Sequence, residues 1–225
     1  MRLSPAVLLT LVAAIPSVGH AQRDAPLAAP GLKVPASPLP YALDHFQGKP
    51  ELVPVHHSSV QLNNHKGQNI AGSLAGSVFY KPKATVEVAG AHARTVLHDA
   101  TPSFFVHLQV DPDAAPDSPD TLTPTFAIVQ AFPDKDRRVF AQIRFTALTG
   151  DAKRKDGIID STTETLSNGW LKITPKAALA PGEYALNPIP KTQNAFSTVV
   201  FDFSIDPAAP NAPDAITAAE RERSE

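Results

Sequence analysis

The 225-residue chain contains no cysteine. That excludes disulfides, thiolate metal sites, cysteine nucleophiles and lipid attachment at a cysteine. An exported domain built this way must draw its stability from its core alone. Aromatic residues are few, with one tryptophan and three tyrosines. The formal net charge is only −2, so neither nucleic acid nor an anionic membrane is an implied partner. Beyond the first residues, no apolar run approaches the roughly 20 residues of a bilayer span. Motifs of nucleophilic and phosphate chemistry are also missing: there is no Gly-x-Ser-x-Gly, no glycine-rich phosphate loop and no His-Glu-x-x-His. The expectation is a protein that is not an enzyme and needs no cofactor.

What is present begins with a leader. Arg2 precedes the apolar run Ala6–Ile15, and the small residues Gly19 and Ala21 follow. One basic residue, a short apolar core and a small-x-small end are the features of a secretory signal peptide. Residues 1–21 are therefore expected to be removed after Ala21, leaving an exported protein, periplasmic or extracellular, with no membrane insertion. Residues 22–50 carry Pro26, Pro30, Pro35, Pro38, Pro40 and Pro50, which predicts an extended proline-rich linker. Residues 51–206 are expected to form the folded domain. Residues 207–225 are expected to be a charged tail, with Asp214 capping a short helix through Ala219. A folded part of about 150–160 residues buries roughly 68–70% of its unfolded surface, enough for a core.

Within that domain the apolar residues recur with period two. Phe104, Val106 and Leu108 alternate with His107 and Gln109; Val139, Ala141, Ile143 and Phe145 with Gln142 and Arg144; Phe201, Phe203 and Ile205 with Asp202 and Ser204. Such alternation marks strands with one buried face. Further strands are expected at 55–62, 77–80, 85–88, 94–98, 126–132, 163–166, 170–174 and 184–186. Turn signals separate them, including Phe132-Pro133-Asp134, Asp156-Gly157 and Asn168-Gly169. Many short strands and no helical period predict an all-β antiparallel sandwich. The stretch Leu179-Ala180-Pro181-Gly182-Glu183-Tyr184 adds a structural motif. Pro181 presets one turn position, and Gly182 accepts the positive φ that a type II turn needs next. Tyr184 then buries its ring and must find a partner for its hydroxyl. Leu179, Pro181, Gly182 and Tyr184 resemble the tyrosine corner of immunoglobulin-like and transthyretin-like Greek-key modules. That resemblance implies an immunoglobulin-like fold and carries no function. No Cys-Trp-Cys pattern accompanies it, so the antibody-type subclass is excluded.

Side chains with chemistry are scattered. His56, His57, His65, His92, His98 and His107 fall in one half of the chain. Neutral imidazoles ligate zinc or copper, and His56, His57 and His98 are the candidate metal residues. None of these histidines shows the i, i+2 spacing of a same-face pair, so no metal is expected. Asp111, Asp113, Asp117 and Asp120 offer oxygen ligands without the calcium-loop spacing. Two basic knots, Lys135 with Arg137 and Arg138, and Lys153 with Arg154 and Lys155, have acids beside them and read as locally neutral turns. Trp170, Tyr80 and Tyr41 are the candidate sugar platforms. Phe104-Phe105 and Val199-Val200-Phe201 place apolar residues on both faces of their strands, so the second face needs cover by the N-terminal segment or a partner. These residues lead to a non-catalytic binding or structural module of the cell envelope, with an unknown protein or glycan partner. The alternatives are a carbohydrate-binding module with Trp170 and Tyr80 exposed, and a periplasmic metal-binding protein with converging histidines.

Overall fold

A computed structural model of the chain describes residues 25–65, 83–108, 125–145, 152–189 and 199–218, with the side chains of 144–145 and 152–156 set outside the description. The expected leader, the expected strand Ser77–Tyr80 and the aspartates from Asp111 to Asp120 lie outside the described residues. The fold is all-β. In chain order the strands are β1 (Leu27–Ala29), β2 (Leu32–Lys33), β3 (Tyr41–Phe46), β4 (Lys49–Pro54), β5 (His57–Ser59), β6 (Gln61–Asn63), β7 (Lys83–Ala89), β8 (Thr95–Leu97) and β9 (Ser103–His107). They continue as β10 (Thr125–Gln130), β11 (Phe132–Asp134), β12 (Arg137–Phe145), β13 (Ala152–Ile159), β14 (Ser161–Thr165), β15 (Trp170–Pro175), β16 (Gly182–Ile189), β17 (Val199–Ile205) and β18 (Ile216–Thr217). Among the described residues no helix is long and apolar enough to cross a membrane.

A six-stranded sheet runs β14-β15-β9-β3-β4-β18, and a ten-stranded sheet runs β5-β17-β16-β10-β13-β12-β7-β6 with β8 and β11 attached. Apart from the parallel β8–β17 pair, the ladders are antiparallel. The largest core lies between the sheets. Ala42, Val53, Phe104, Leu171 and Ile173 of the first meet Phe126, Ile128, Tyr184, Leu186, Phe203 and Ile205 of the second, as in a β-sandwich. These are the inward members of the period-two patterns.

The apolar residues on the opposite strand faces are also covered, in two different ways. On the six-stranded sheet, Phe105, Tyr41, Leu52 and Trp170 pack under Ala25, Leu32 and Val34 of the β1–β2 hairpin. The proline-rich segment expected as a linker over 22–50 therefore carries β1, β2, β3 and the start of β4. Its prolines fall in a hairpin turn, in the connector between β2 and β3, and beside or near strand ends, where a missing N–H is tolerated. On the ten-stranded sheet, Val200, Ala127, Val129 and Ala185 meet Val88 and Phe140 from its far half. That half curls back because one stretch of chain joins the two sheet edges. β5 pairs with β17, β6 pairs with β7, and only Val60 lies between them.

At the C-terminal end the structure differs from the expected helix. Ile216 and Thr217 form β18 against Leu52 and Glu51 of β4. Asp214, expected as a helix cap, instead meets His56, with its Oδ2 2.7 Å from Nε2.

Candidate functional site: a cleft over the β7–β12 ladder

The histidines are distributed rather than gathered. His56 pairs with Asp214, and His57 is exposed on β5. His92 lies 3.1 Å from Glu183, and the His107 ring lies 4.7 Å from that of Trp170. Among the described residues the one group with metal-ligand proximity is Asp44, Glu51 and His98, whose ligand atoms lie within 4.8 Å of one another. Of the three candidate metal histidines, only His98 belongs to it.

The hydrogen bonding of that group favours a clamp over an ion site. Asp44 accepts the backbone N–H of His98 at 3.0 and 2.9 Å, that of Asp99 at 2.6 Å, and His98 Nδ1 at 2.8 Å. Its lone pairs are thus directed at N–H donors. The Nε2 of His98 faces the Ala209 carbonyl at 3.2 Å. Asp44 ties the start of the loop after β8 to β3, and His98 carries the tie onward to the C-terminal segment.

Arg138, expected in a locally neutral turn, is buried with 2% exposure. It reaches across the curled sheet to Asp202 at 2.5 Å and lies 3.6 Å from Glu183. It also donates to the carbonyls of Gly90 and Ala89. Glu183 accepts the Ala93 N–H at 2.8 Å. The charges of Arg138 and Asp202 are thus paired inside the protein, while Glu183 also meets the exposed His92.

Trp170 is also buried, with 2% exposure, and Tyr41 with 8%. Neither therefore serves as the sugar platform of the alternative reading: both are core residues under the N-terminal hairpin, as a tryptophan beside a hairpin turn commonly is. Trp170 follows a 3-10 turn at Ser167–Gly169 in which Asn168 and Gly169 both take positive φ, and its ring turns inward. Tyr80 lies outside the described residues.

The surviving candidate is a cleft of about 360 Å³ on the outer face of β7 and β12, lined by His65, Lys83, Thr85, Phe132, Pro133, Asp134, Val139, Phe140, Ala141 and Gln142. Local sequence explains its make-up. In β7, Ala84, Val86 and Val88 turn to the interior, which places Thr85 and Glu87 on the opposite face. In β12 the register shifts between Val139 and Ala141. That bulge re-aims the strand, so Val139 stands opposite Glu87 and Gln142 opposite Thr85. β11 folds back along β12 with Phe132 opposite Val139, and Phe132 keeps 53% exposure.

The polar floor is a connected chain. His65 Nε2 lies 2.6 Å from the Thr85 hydroxyl, and that hydroxyl donates to Glu87. Glu87 also accepts from Asn63 at 3.2 Å and from Arg137 at 2.8 Å. Burial pushes the Glu87 carboxyl up, but the hydrogen bonds from Thr85, Arg137 and Asn63, with the Arg137 charge, outweigh it and hold the group below its ordinary range. Glu87 is therefore a fixed acceptor and a weak base. His65 was legible only as one of the scattered histidines, and Phe132 as the end of the expected strand 126–132 beside a turn signal. The alternation of Thr85 and Glu87 with Ala84, Val86 and Val88 was the one signal of the floor. An all-β chain with a polar-floored, aromatic-edged cleft is the class that the fold and the site define. Comparison with family models, curated proteins and solved structures yields no match.

Proposed function

We propose that this chain is a non-catalytic, exported binding module of the cell envelope, built on an immunoglobulin-like plan, with the β7–β12 cleft as its ligand site. The observation that carries the reading is the cleft itself. Its polar floor is already hydrogen-bonded before any ligand arrives, while Phe132 stands exposed at its rim on a paired strand. A pre-organised floor with an apolar rim is the build of a binding site, in which little ordering cost remains at association. The same bonds speak against turnover. A general base works best with a pKa near the operating pH, whereas Glu87 is held low and its proton-donating neighbour Thr85 is tied to it. The basic residue, short apolar run and small-x-small end of residues 1–21 support export.

The test has two arms. Fractionation of expressing cells, with intact mass, is expected to recover the protein outside the cytoplasm beginning at Gln22. Amide chemical shifts of the labelled mature protein, recorded with solubilised cell-envelope fractions, are expected to move at Thr85, Phe132 and Val139 without consumption of the added material. Cytoplasmic retention, shifts confined to other surfaces, or turnover of the fraction would overturn the proposal.

A further inference from the structure

We infer that the cleft recognises an uncharged saccharide, laid with one ring face on Phe132. The inference rests on the binding-module reading above and specifies its ligand.

Four features of the cleft lead there. The first is the aromatic rim. Phe132 is fixed by β11, whose Phe132–Val139 and Asp134–Arg137 pairs hold it to β12. Pro133 and Val139 continue the apolar surface beside it. A sugar ring presents one face of C–H groups, and burying that face against an exposed aromatic ring gains apolar area.

The second is the polar complement. His65, Thr85 and Gln142 line the opposite side, and hydroxyl, amide and imidazole groups each combine donor and acceptor capacity. Ring hydroxyls need that mixture, because each both donates and accepts.

The third is charge. Lys83 and Asp134 carry opposite charges at the lining, and Glu87 behind it is neutralised by Arg137 at 2.8 Å. Among the described side chains of the lining, the two charges are thus of opposite sign, whereas recognition of a charged ligand relies on a field of one sign.

The fourth separates a saccharide from a peptide. Extended peptides bind sheets by adding to an open main-chain edge. In the cleft floor β7 is paired with β6 and β12, and β12 is paired with β7 and then with β11 or β13. Among the described residues β11 pairs with β12 alone, and Pro133 at its centre removes the middle N–H; β6 pairs with β7 alone, over the three residues Gln61–Asn63, a short edge for an extended peptide. Recognition then falls mainly to side chains, which suits a polyol. The volume lies at the small end of the range for small-molecule sites, enough for a short glycan segment.

The experiment is isothermal titration of the mature chain with neutral gluco-, manno-, galacto-, xylo- and N-acetylglucosamine oligosaccharides. Polygalacturonate and a casein digest serve as anionic and peptide comparators. At least one neutral oligosaccharide is expected to bind. Phe132→Ala should weaken it about tenfold, the scale of one lost aromatic contact. Phe132→Trp should preserve it, and Leu27→Ala, an exposed apolar residue on β1, should leave it unchanged. Chemical-shift mapping on the unaltered protein locates the site independently of whether a variant folds. Failure of every neutral oligosaccharide, equal affinity of Phe132→Ala, or binding of only the anionic or peptide probe would overturn the inference. Periodate treatment of the envelope fraction separates the two levels. Cleft shifts that survive destruction of its glycans retain the binding module and refute the saccharide. Absence of cleft shifts with every untreated fraction refutes both.

Discussion

The hydroxyl of Tyr184 donates to the carbonyl of Ala180 at 2.8 Å, four residues upstream, while the ring is 2% exposed and stacks on Phe203. Burial pushes the phenol pKa up, so it stays a donor throughout the neutral range. Gly182 takes φ of +156° rather than the roughly +80° of a type II turn. The chain thus enters β16 in an open bend that L side chains rarely adopt, instead of the expected tight turn. Tyr184→Phe keeps the ring and leaves the Ala180 carbonyl without that partner, so it should destabilise the fold by about 1–2 kcal/mol. Urea midpoints compare the two proteins, and identical midpoints would show that the hydroxyl contributes nothing. This motif was legible because its partners lie within six residues. The Asp44–His98 tie was not, since it joins positions 54 residues apart. The same holds for His65 and Thr85, which meet only once β6 lies along β7.

Elements show the same division. The strands around Phe104, Val139 and Phe203 were legible because burial on one face imposes period two. β13 was not, because Asp156-Gly157 has the form of a turn. In the sheet Gly157 stands opposite Gln130, and a Cβ there would meet the Gln130 carbonyl oxygen at 3.0 Å. The glycine serves a close strand approach rather than a reversal. The β3–β4 hairpin was hidden by its prolines. Its turn residues Gln47 and Gly48 both have positive φ, as a two-residue hairpin loop demands. Pro50 and Pro54 lie outside Glu51–Leu52, the stretch that β18 pairs. The N-terminal hairpin makes the sharpest case. If residues 25–34 were a spacer, Leu32→Ala would be silent. Leu32 has no exposed surface and packs in the cluster with Leu52, Phe105 and Trp170. The substitution should therefore cost about 2–5 kcal/mol, read as a lower urea midpoint with an unchanged slope. A midpoint equal to that of the unaltered protein would return the segment to a spacer.

At the scale of the whole molecule, the question is what holds the curled half of the large sheet against the half that faces the sandwich core. The apolar contacts there are small: Ala127, Ala131 and Ala185 supply much of the surface that meets Val88 and Phe140. Arg138 crosses the same interface from β12 to Asp202 on β17, with Glu183 of β16 beside it. A buried ion pair is weak evidence of net stabilisation, because the desolvation cost of both charges offsets their attraction. Removing one partner is different, since it strands the other in a dry site. Arg138→Met should therefore cost about 3–5 kcal/mol, by leaving Asp202 without its cation. Arg138→Met with Asp202→Leu removes both charges and should recover part of that loss, although Glu183 keeps only the Ala93 N–H and His92 as partners. Urea unfolding of the two variants decides between two roles for the pair. Recovery in the double variant identifies an arrangement whose members are needed mainly because of each other. If the double variant stays as unstable as Arg138→Met alone, the loss comes from the other contacts of Arg138, to Glu183 and the carbonyls of Gly90 and Ala89, rather than from a stranded Asp202.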